Sequence, residues 1–164
     1  MAFPTTVNLK YGMEKDETSS QKHKLGTRGV TPDGRVFYYA ENSGTAITHG
    51  GYLLDGIAAV AAHDMDLAAT ATSAGATSFT SGTSLTVTKN QYKDGYLYIN
   101  DGPGQGETYL VKSNTAVSSA TGLSITIDDE DGFATALTTS SLFGLMYNPY
   151  TVSYTHLTLP TILR

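Results

Sequence analysis

Residues 123–127 read Leu-Ser-Ile-Thr-Ile, and this stretch decides the fold class. Apolar and hydroxyl side chains alternate along it with a period of two, which is the pattern of a β-strand with one buried face. Residues 83–88 repeat the pattern, with Leu85 and Val87 on one face and hydroxyl side chains on the other. Residues 96–99 place Leu and Ile on one face and two tyrosines on the other. These alternations predict a sheet of half-buried strands.

Turn signals separate the predicted strands. Residues 31–34, Thr-Pro-Asp-Gly, lie between the runs 24–30 and 35–40 and predict a tight hairpin, because proline presets φ and glycine tolerates positive φ. Asp94-Gly95 gives a second turn signal. Short strands with a turn about every ten residues predict a mainly β protein, a small antiparallel barrel or sandwich. The alanine-rich run 56–72 lacks a helical stripe, so we expect an irregular or extended segment there, with a short helix as the alternative.

The first part of the chain differs from the middle. Residues 1–22 are polar and aperiodic, so we expect an extended, flexible N-terminal arm. Residues 23–150 form the predicted β-rich domain, which includes one or two short strands within residues 45–54.

The last part of the chain carries an unusual run. Residues 152–161 resemble the conceptual translation of a transposase-type sequencing adapter. The resemblance implies that residues 151–164 are a non-native tail and that the natural chain continues past about Tyr150. On residue types alone, the same run would be an ordinary edge strand ended by Pro160.

Composition excludes several classes of function. The net charge is −5, so the chain lacks the basic footprint of a nucleic-acid-binding protein, and we expect no nucleic-acid partner. The absence of cysteine excludes a disulfide framework, a thiolate zinc site and a cysteine nucleophile. The longest apolar run, residues 57–62, is too short to cross a bilayer, so we expect no membrane partner. Eleven tyrosines favour half-buried sheet faces and protein interfaces.

Two loops resemble ligand-binding motifs. Residues 101–106, Asp-Gly-Pro-Gly-Gln-Gly, look like a phosphate loop, but a strand follows them where such a loop needs a helix. Pro103 also removes an amide donor, so we expect a wide hairpin turn. Residues 128–132, Asp-Asp-Glu-Asp-Gly, could offer oxygen ligands to Ca²⁺, but the EF-hand spacing is absent, and a solvated turn is the favoured interpretation.

The histidines and serines form no catalytic pattern. Residues 63–66, His-Asp-Met-Asp, place a histidine near two carboxylates, but His23 and His49 do not complete a ligand spacing, so we expect a polar turn. His156 lies in the adapter-like run and is excluded from functional reasoning. No serine stands in a nucleophile elbow. We therefore expect a protein that is not an enzyme, with no catalytic residue, cofactor, metal site or small-molecule substrate.

Several segments resemble head-associated structural proteins of tailed bacteriophages known from environmental genomes. The likeness covers roughly residues 1–150 and is strongest over residues 75–112. The segments that carry it are Tyr11-Gly12, the Leu25 to Ala40 hairpin, residues 75–78, residues 90–102 with Gly104, Gly106 and Tyr109, and residues 137–141 continuing to 148–150.

The resemblance implies a non-catalytic virion protein, associated with or decorating the capsid. Its implied partners are capsid subunits and further copies of itself, and its implied location is the virion, assembled in the host cytoplasm. The alternative is a β-sandwich adhesion or glycan-binding module of a tail fibre, in which exposed aromatic rings stack on sugars and acidic turns hold Ca²⁺.

Overall fold

The computed structural model describes residues 6–42 and 53–156, with the backbone alone for residues 53–55 and 152–156. The described residues contain no α-helix; Met13–Lys15 form a single 3-10 turn. The mainly β prediction is therefore confirmed. The strands in chain order are β1 (Thr6–Asn8), β2 (Arg28–Val30), β3 (Val36–Tyr38), β4 (Leu53–Gly56), β5 (Leu67–Ala68), β6 (Ser78–Thr80), β7 (Leu85–Val87), β8 (Tyr96–Asp101), β9 (Thr108–Asn114), β10 (Val117–Ala120), β11 (Ser124–Ile127), β12 (Leu142–Met146) and β13 (Val152–His156).

The chain divides into two compact units. The larger one, which contains Ala59–Asn148, is built on a six-stranded sheet in the order β5-β12-β8-β9-β11-β6. Every neighbouring pair in this sheet is antiparallel, as expected for strands joined by tight turns. The sheet curls into a half-barrel.

The half-barrel is not a closed barrel; of the two predicted architectures, a barrel or a sandwich, the sandwich stays a prediction. Next to its two edge strands, β5 and β6, an isolated antiparallel bridge joins Ala69 to Ser81. Thr70 N donates to Thr80 O at 3.0 Å and Gly82 N donates to Ala68 O at 2.8 Å on either side of it. Because β5 is only two residues long, these bonds do not extend into a ladder.

The core of the larger unit follows the alternation of the sequence. Leu97 and Ile99 of β8 are buried, as are Ile125 and Ile127 of β11. Four aromatic rings pack edge to face at its centre, with centroids 4.9 to 5.5 Å apart: Phe79, Tyr109, Phe133 and Phe143. Such contacts add to the burial of the rings, so this cluster is a main source of stability for the unit.

A two-stranded ribbon of β7 and β10 supplements the core. Leu85 and Val87 of β7 are buried and belong to the same hydrophobic cluster as the sheet. Asn114 at the end of β9 holds the turn between β7 and β8: its Oδ1 accepts from Tyr92 N at 3.0 Å, and its Nδ2 donates to Thr88 O at 2.8 Å. These hydrogen bonds offset the cost of removing the Asn114 amide from water.

The second unit contains the described residues 6–42, 53–58 and 149–156. Strands β2 and β3 form the predicted hairpin, and Gly34 in its turn has φ +83°, as that turn requires. Strand β1 adds to β2 in parallel, and a Cβ at Gly29 would lie 2.5 Å from Leu9 Cδ1. Glycine at this position therefore lets Leu9 pack on the sheet.

The two ends of the chain contribute strands to this second unit. Residues 6–8, within the expected N-terminal arm, form β1. Backbone pairing joins β13 to β4 in antiparallel register, and β13 lies within the adapter-like run. The domain boundaries 1–22, 23–150 and 151–164 stay predictions. Most of the strands expected within residues 45–54 lie outside the described residues; Leu53–Gly56 form β4.

The alanine-rich run 56–72 is irregular where it continues into the larger unit. This agrees with the expectation of an irregular or extended segment, which was favoured over a short helix. It contains a turn near residues 61–63 and the short strand β5.

Candidate functional site

An exposed aromatic surface of the second unit lies on its three-stranded sheet. Register places Arg28 opposite Tyr38 and Val30 opposite Val36, so these side chains share one face. Thr6 and Asn8 of β1 lie beside Arg28 and Val30 on the same face. We call these six residues the outer face. Val36 and Tyr38 are 40% and 49% exposed, although apolar strand residues normally bury one side.

The opposite face of the same sheet is more protected. Val7 and Phe37 are half-buried and Gly29 is buried. The Arg35 guanidinium lies 5.6 Å from the centroid of the Phe37 ring, within cation–π range. The outer face is therefore the open side of this sheet.

Tyr38 on the outer face is not isolated. Its ring stacks on that of Tyr150, with centroids 5.1 Å apart and planes 21° apart. Stacking holds the two rings in a fixed orientation, which lowers the entropy lost when another surface packs against them. The pair forms a rigid aromatic platform suited to protein or sugar contacts.

Charged groups beside the hairpin turn neutralise one another. Arg35 Nε lies 2.7 Å from Asp33 Oδ2, and Arg35 Nη2 lies 3.8 Å from Glu14 Oε1. The Thr31 hydroxyl, followed by the Arg35 side chain, lowers the pKa of the Asp33 carboxyl. These exposed contacts order the turn.

The tyrosine face of β8 is half-buried. Tyr96 and Tyr98 are both half-buried, whereas Leu97 and Ile99 are buried, as the alternation predicts. The Tyr98 hydroxyl donates to the backbone oxygen of Asp64 within the same unit. Burial and the nearby Asp64 carboxylate raise the pKa of the Tyr98 phenol.

The predicted polar turn at residues 63–66 exists, but His63 is buried. Its Nδ1 lies 2.6 Å from the Tyr92 hydroxyl, and desolvation lowers the pKa of its imidazole. Tyr92 stacks on Tyr147 with centroids 4.8 Å apart, and burial raises the pKa of its phenol. Sequence reasoning missed this cluster because 29 residues separate His63 from Tyr92 and no local motif links them.

A second buried phenol lies next to the glycine-rich loop. The Tyr109 hydroxyl donates to Glu107 Oε2 at 2.5 Å and accepts from Ala134 N at 2.9 Å. Burial, followed by the Glu107 carboxylate, raises the pKa of Tyr109 to about 12. Glu107 Oε1 accepts from the Thr135 hydroxyl at 2.5 Å. Both oxygens of this carboxylate are therefore engaged in holding the loop.

The glycine-rich loop is the expected wide hairpin turn between β8 and β9. Gly106 N donates to Ile99 O and Ile99 N donates to Glu107 O, both at 2.9 Å, so the loop amides close the hairpin. Gly102, Gly104 and Gly106 all have positive φ, which explains the glycine content.

The acidic residues 128–132 form the expected turn. Asp131 N donates to Asp129 Oδ1 at 3.2 Å, and Gly132 N donates to Asp129 O at 3.3 Å. Binding of Ca²⁺ there stays an open prediction.

Of the remaining histidines, the structure describes the side chain of His23. His23 is exposed and makes an edge contact with the Tyr39 ring at 5.5 Å. His49 lies outside the described residues, and of His156 only the backbone, in β13, is described. Within the described ranges, no three histidine, aspartate or glutamate side chains converge as metal ligands. The same part of the chain has no helix long and apolar enough to span a bilayer.

No protein-family model matches the chain, and neither the curated proteins nor the solved structures contain a match.

Proposed function

We propose that the chain is a non-catalytic structural protein of a tailed-bacteriophage particle, associated with or decorating the capsid. The outer face of β1–β3 is the single observation that carries this proposal. It leaves Val36 and the stacked Tyr38 open, and it carries one charged residue, Arg28. Interfaces are enriched in tyrosine and arginine and depleted of other charges, so this composition suits a subunit contact.

The resemblance to head-associated virion proteins gives the class of partner. Capsid subunits and further copies of the chain are the proposed partners, and the virion, assembled in the host cytoplasm, is the proposed location. No cofactor, metal, nucleic acid, membrane or small-molecule substrate enters this function. The finer architecture belongs to the same proposal: a small sandwich in which the β7–β10 ribbon covers the core of the half-barrel, as the buried Leu85 and Val87 suggest.

Binding to particles tests the proposal. Purified chain is added to particles of the encoding phage that lack it, and the bound fraction is measured by sedimentation. We expect Tyr38→Ala to weaken binding at least tenfold, because a central aromatic contact is commonly worth about 2 kcal/mol. Tyr11→Ala is the matched control, since Tyr11 is an exposed tyrosine outside the strands. Equal binding of wild-type and Tyr38→Ala protein would contradict the assignment of the outer face.

A glycan-binding module of a tail fibre is the second candidate. The Tyr38–Tyr150 stack favours it, because exposed aromatic rings pack on sugar faces. A glycan array, read with and without Ca²⁺, distinguishes the two functions. Saccharide binding that Tyr38→Ala abolishes would favour the tail-fibre module, and its absence together with particle binding would favour the capsid role.

A further inference from the structure

A segment of the larger unit, residues 59–66, closes the free edge of β12. On β12, strand β5 pairs with Leu142 and Phe143, and it ends before the amide of Leu145. His63 O accepts from Leu145 N at 2.9 Å and takes the place of a strand there. We call residues 59–66 the latch.

Two side chains of β8 hold the end of the latch. The Tyr98 hydroxyl donates to the Asp64 backbone oxygen. Asn100 Nδ2 donates to Asp66 Oδ1 at 2.7 Å, and Asp66 has a φ of 61°, which a non-glycine residue rarely adopts. These contacts lie at a partly exposed surface, so they hold the latch more weakly than a ladder of strand hydrogen bonds would.

The buried ring of His63 is the main contact that holds the latch in place. Only 4% of His63 is exposed, and its Nδ1 lies 2.6 Å from the Tyr92 hydroxyl. The His63 and Tyr92 rings also pack edge to face, with centroids 5.8 Å apart. In either tautomer, a second ring proton places a charged imidazolium in a pocket built for a neutral ring.

The ionisable groups around His63 give that charge little compensation. Tyr92 and Tyr147 are phenols, and Tyr98 binds Asp64 with its hydroxyl. The carboxylate of Asp64 has an oxygen 3.3 Å from the Tyr98 hydroxyl. Asp94 lies on the turn that carries Tyr92. Burial is the one cause of the lowered His63 pKa, with no ion pair offsetting it.

We propose that the latch is an acid-sensitive device, in which protonation of His63 releases residues 59–66 and uncovers the edge of β12 at Leu145. A buried charge without a partner is costly, and the open form lets the imidazolium reach water. An uncovered strand edge offers main-chain groups to another strand. The proposal concerns the larger unit alone and does not depend on the virion role.

The difference in the His63 pKa between the closed and open forms determines how pH changes the opening equilibrium of the latch. The open form has an ordinary histidine pKa near 6.5, whereas the closed form has a lower one, so the open form binds the proton more readily. Above pH 6.5 the imidazole is neutral in both forms, so the opening equilibrium does not depend on pH. Below it, one proton favours opening by up to about tenfold per pH unit, until the closed form also takes up the proton.

Hydrogen–deuterium exchange of the full chain at pH 7.5 and pH 5.0 tests the latch, with rates corrected for the intrinsic effect of pH. We expect protection of the Leu145 amide and of residues 59–66 to fall about tenfold at pH 5.0. The Ile99 amide, inside the sheet, keeps its protection. In His63→Gln, a neutral side chain that can still reach Tyr92, the fall disappears. His23→Gln is the matched control and behaves like the wild type.

Equal protection of the latch at both pH values would overturn the proposal, as would the same fall in His63→Gln. If His63→Gln does not fold, an NMR titration of the wild-type imidazole decides. A His63 pKa below 6.5, with Leu145 exchange following the same titration, supports the latch. A value of 6.5 or higher overturns it.

Discussion

The Nδ1 atom of His63 lies 2.6 Å from the hydroxyl of Tyr92, and both side chains are buried. This contact joins the turn after residue 60 to the turn before β8. The side chains of Gln91 and Tyr147 also act on the Tyr92 hydroxyl, whereas loss of that hydroxyl leaves His63 Nδ1 without this partner.

Tyr92→Phe is therefore expected to destabilise the larger unit by about 1–3 kcal/mol, the cost of leaving a buried polar group without its hydrogen bond. Urea unfolding followed by circular dichroism measures the change. Tyr11→Phe, which removes the hydroxyl of an exposed tyrosine, serves as the control and is expected to change stability by less than about 0.5 kcal/mol. A Tyr92→Phe protein as stable as the wild type would show that the contact with His63 is dispensable.

Gly144 of β12 lies directly against the latch. A Cβ at this position would overlap the Asp64 backbone oxygen and the Tyr98 ring. Gly144→Ala is expected to destabilise the unit by about 1–3 kcal/mol or more, as overpacking of a buried site does. Gly82→Ala is the matched control, because its Cβ would meet Ala68 O at an ordinary 3.5 Å. Thermal unfolding of the two variants checks this, and equal midpoints would contradict the close approach.

Phe133 is the core aromatic ring that contacts both Phe79 and Tyr109, at 5.5 and 4.9 Å between centroids. Phe133→Ala is expected to cost about 3–5 kcal/mol, because it removes buried surface and leaves a cavity. Met146→Ala, at a position 47% exposed, is expected to cost far less. Denaturant midpoints of the two variants give the comparison. A small effect of Phe133→Ala would contradict a large contribution of Phe133 to the core.

These expectations also show how much the sequence could predict. The strands around Leu97 and Ile125 follow from a local alternation, and Gly34 marks its turn without any distant contact. The bridge from Ala69 to Ser81 depends on the curl of the whole sheet, and no local pattern encodes it. The burial of His63 likewise depends on a tyrosine that is distant in the sequence.

The same distinction explains why the prediction of a small barrel or sandwich did not reach the observed half-barrel. Turn spacing predicts a number of short strands, but closure requires long edge strands in matching register. Strand β5 has two residues, a length that the alanine-rich sequence around it does not reveal. The parallel pairing of β1 with β2 does not follow from a local pattern either, because it brings Leu9 against Gly29, which is distant in the sequence.

Alkaline titration tests the buried phenol of Tyr109. Its pKa is about 12 in the folded chain against an ordinary 10, so the folded state keeps the proton longer than the unfolded state. The associated stability is fully present below pH 10 and is lost as the pH rises towards 12. We expect the tyrosinate absorbance of the folded protein to lag behind that of the urea-unfolded protein. Tyr109→Phe removes one tyrosine from the lagging fraction. If Tyr109→Phe leaves the lagging fraction unchanged, that result contradicts the burial of this hydroxyl.

We propose that this chain is a structural component of a phage particle. Quantitative mass spectrometry of purified, intact particles of the encoding phage checks this proposal. The proposed function predicts the chain in fixed stoichiometry with the major capsid subunit, at tens of copies or more per particle. Its absence from particles that carry every other head protein would contradict the proposal.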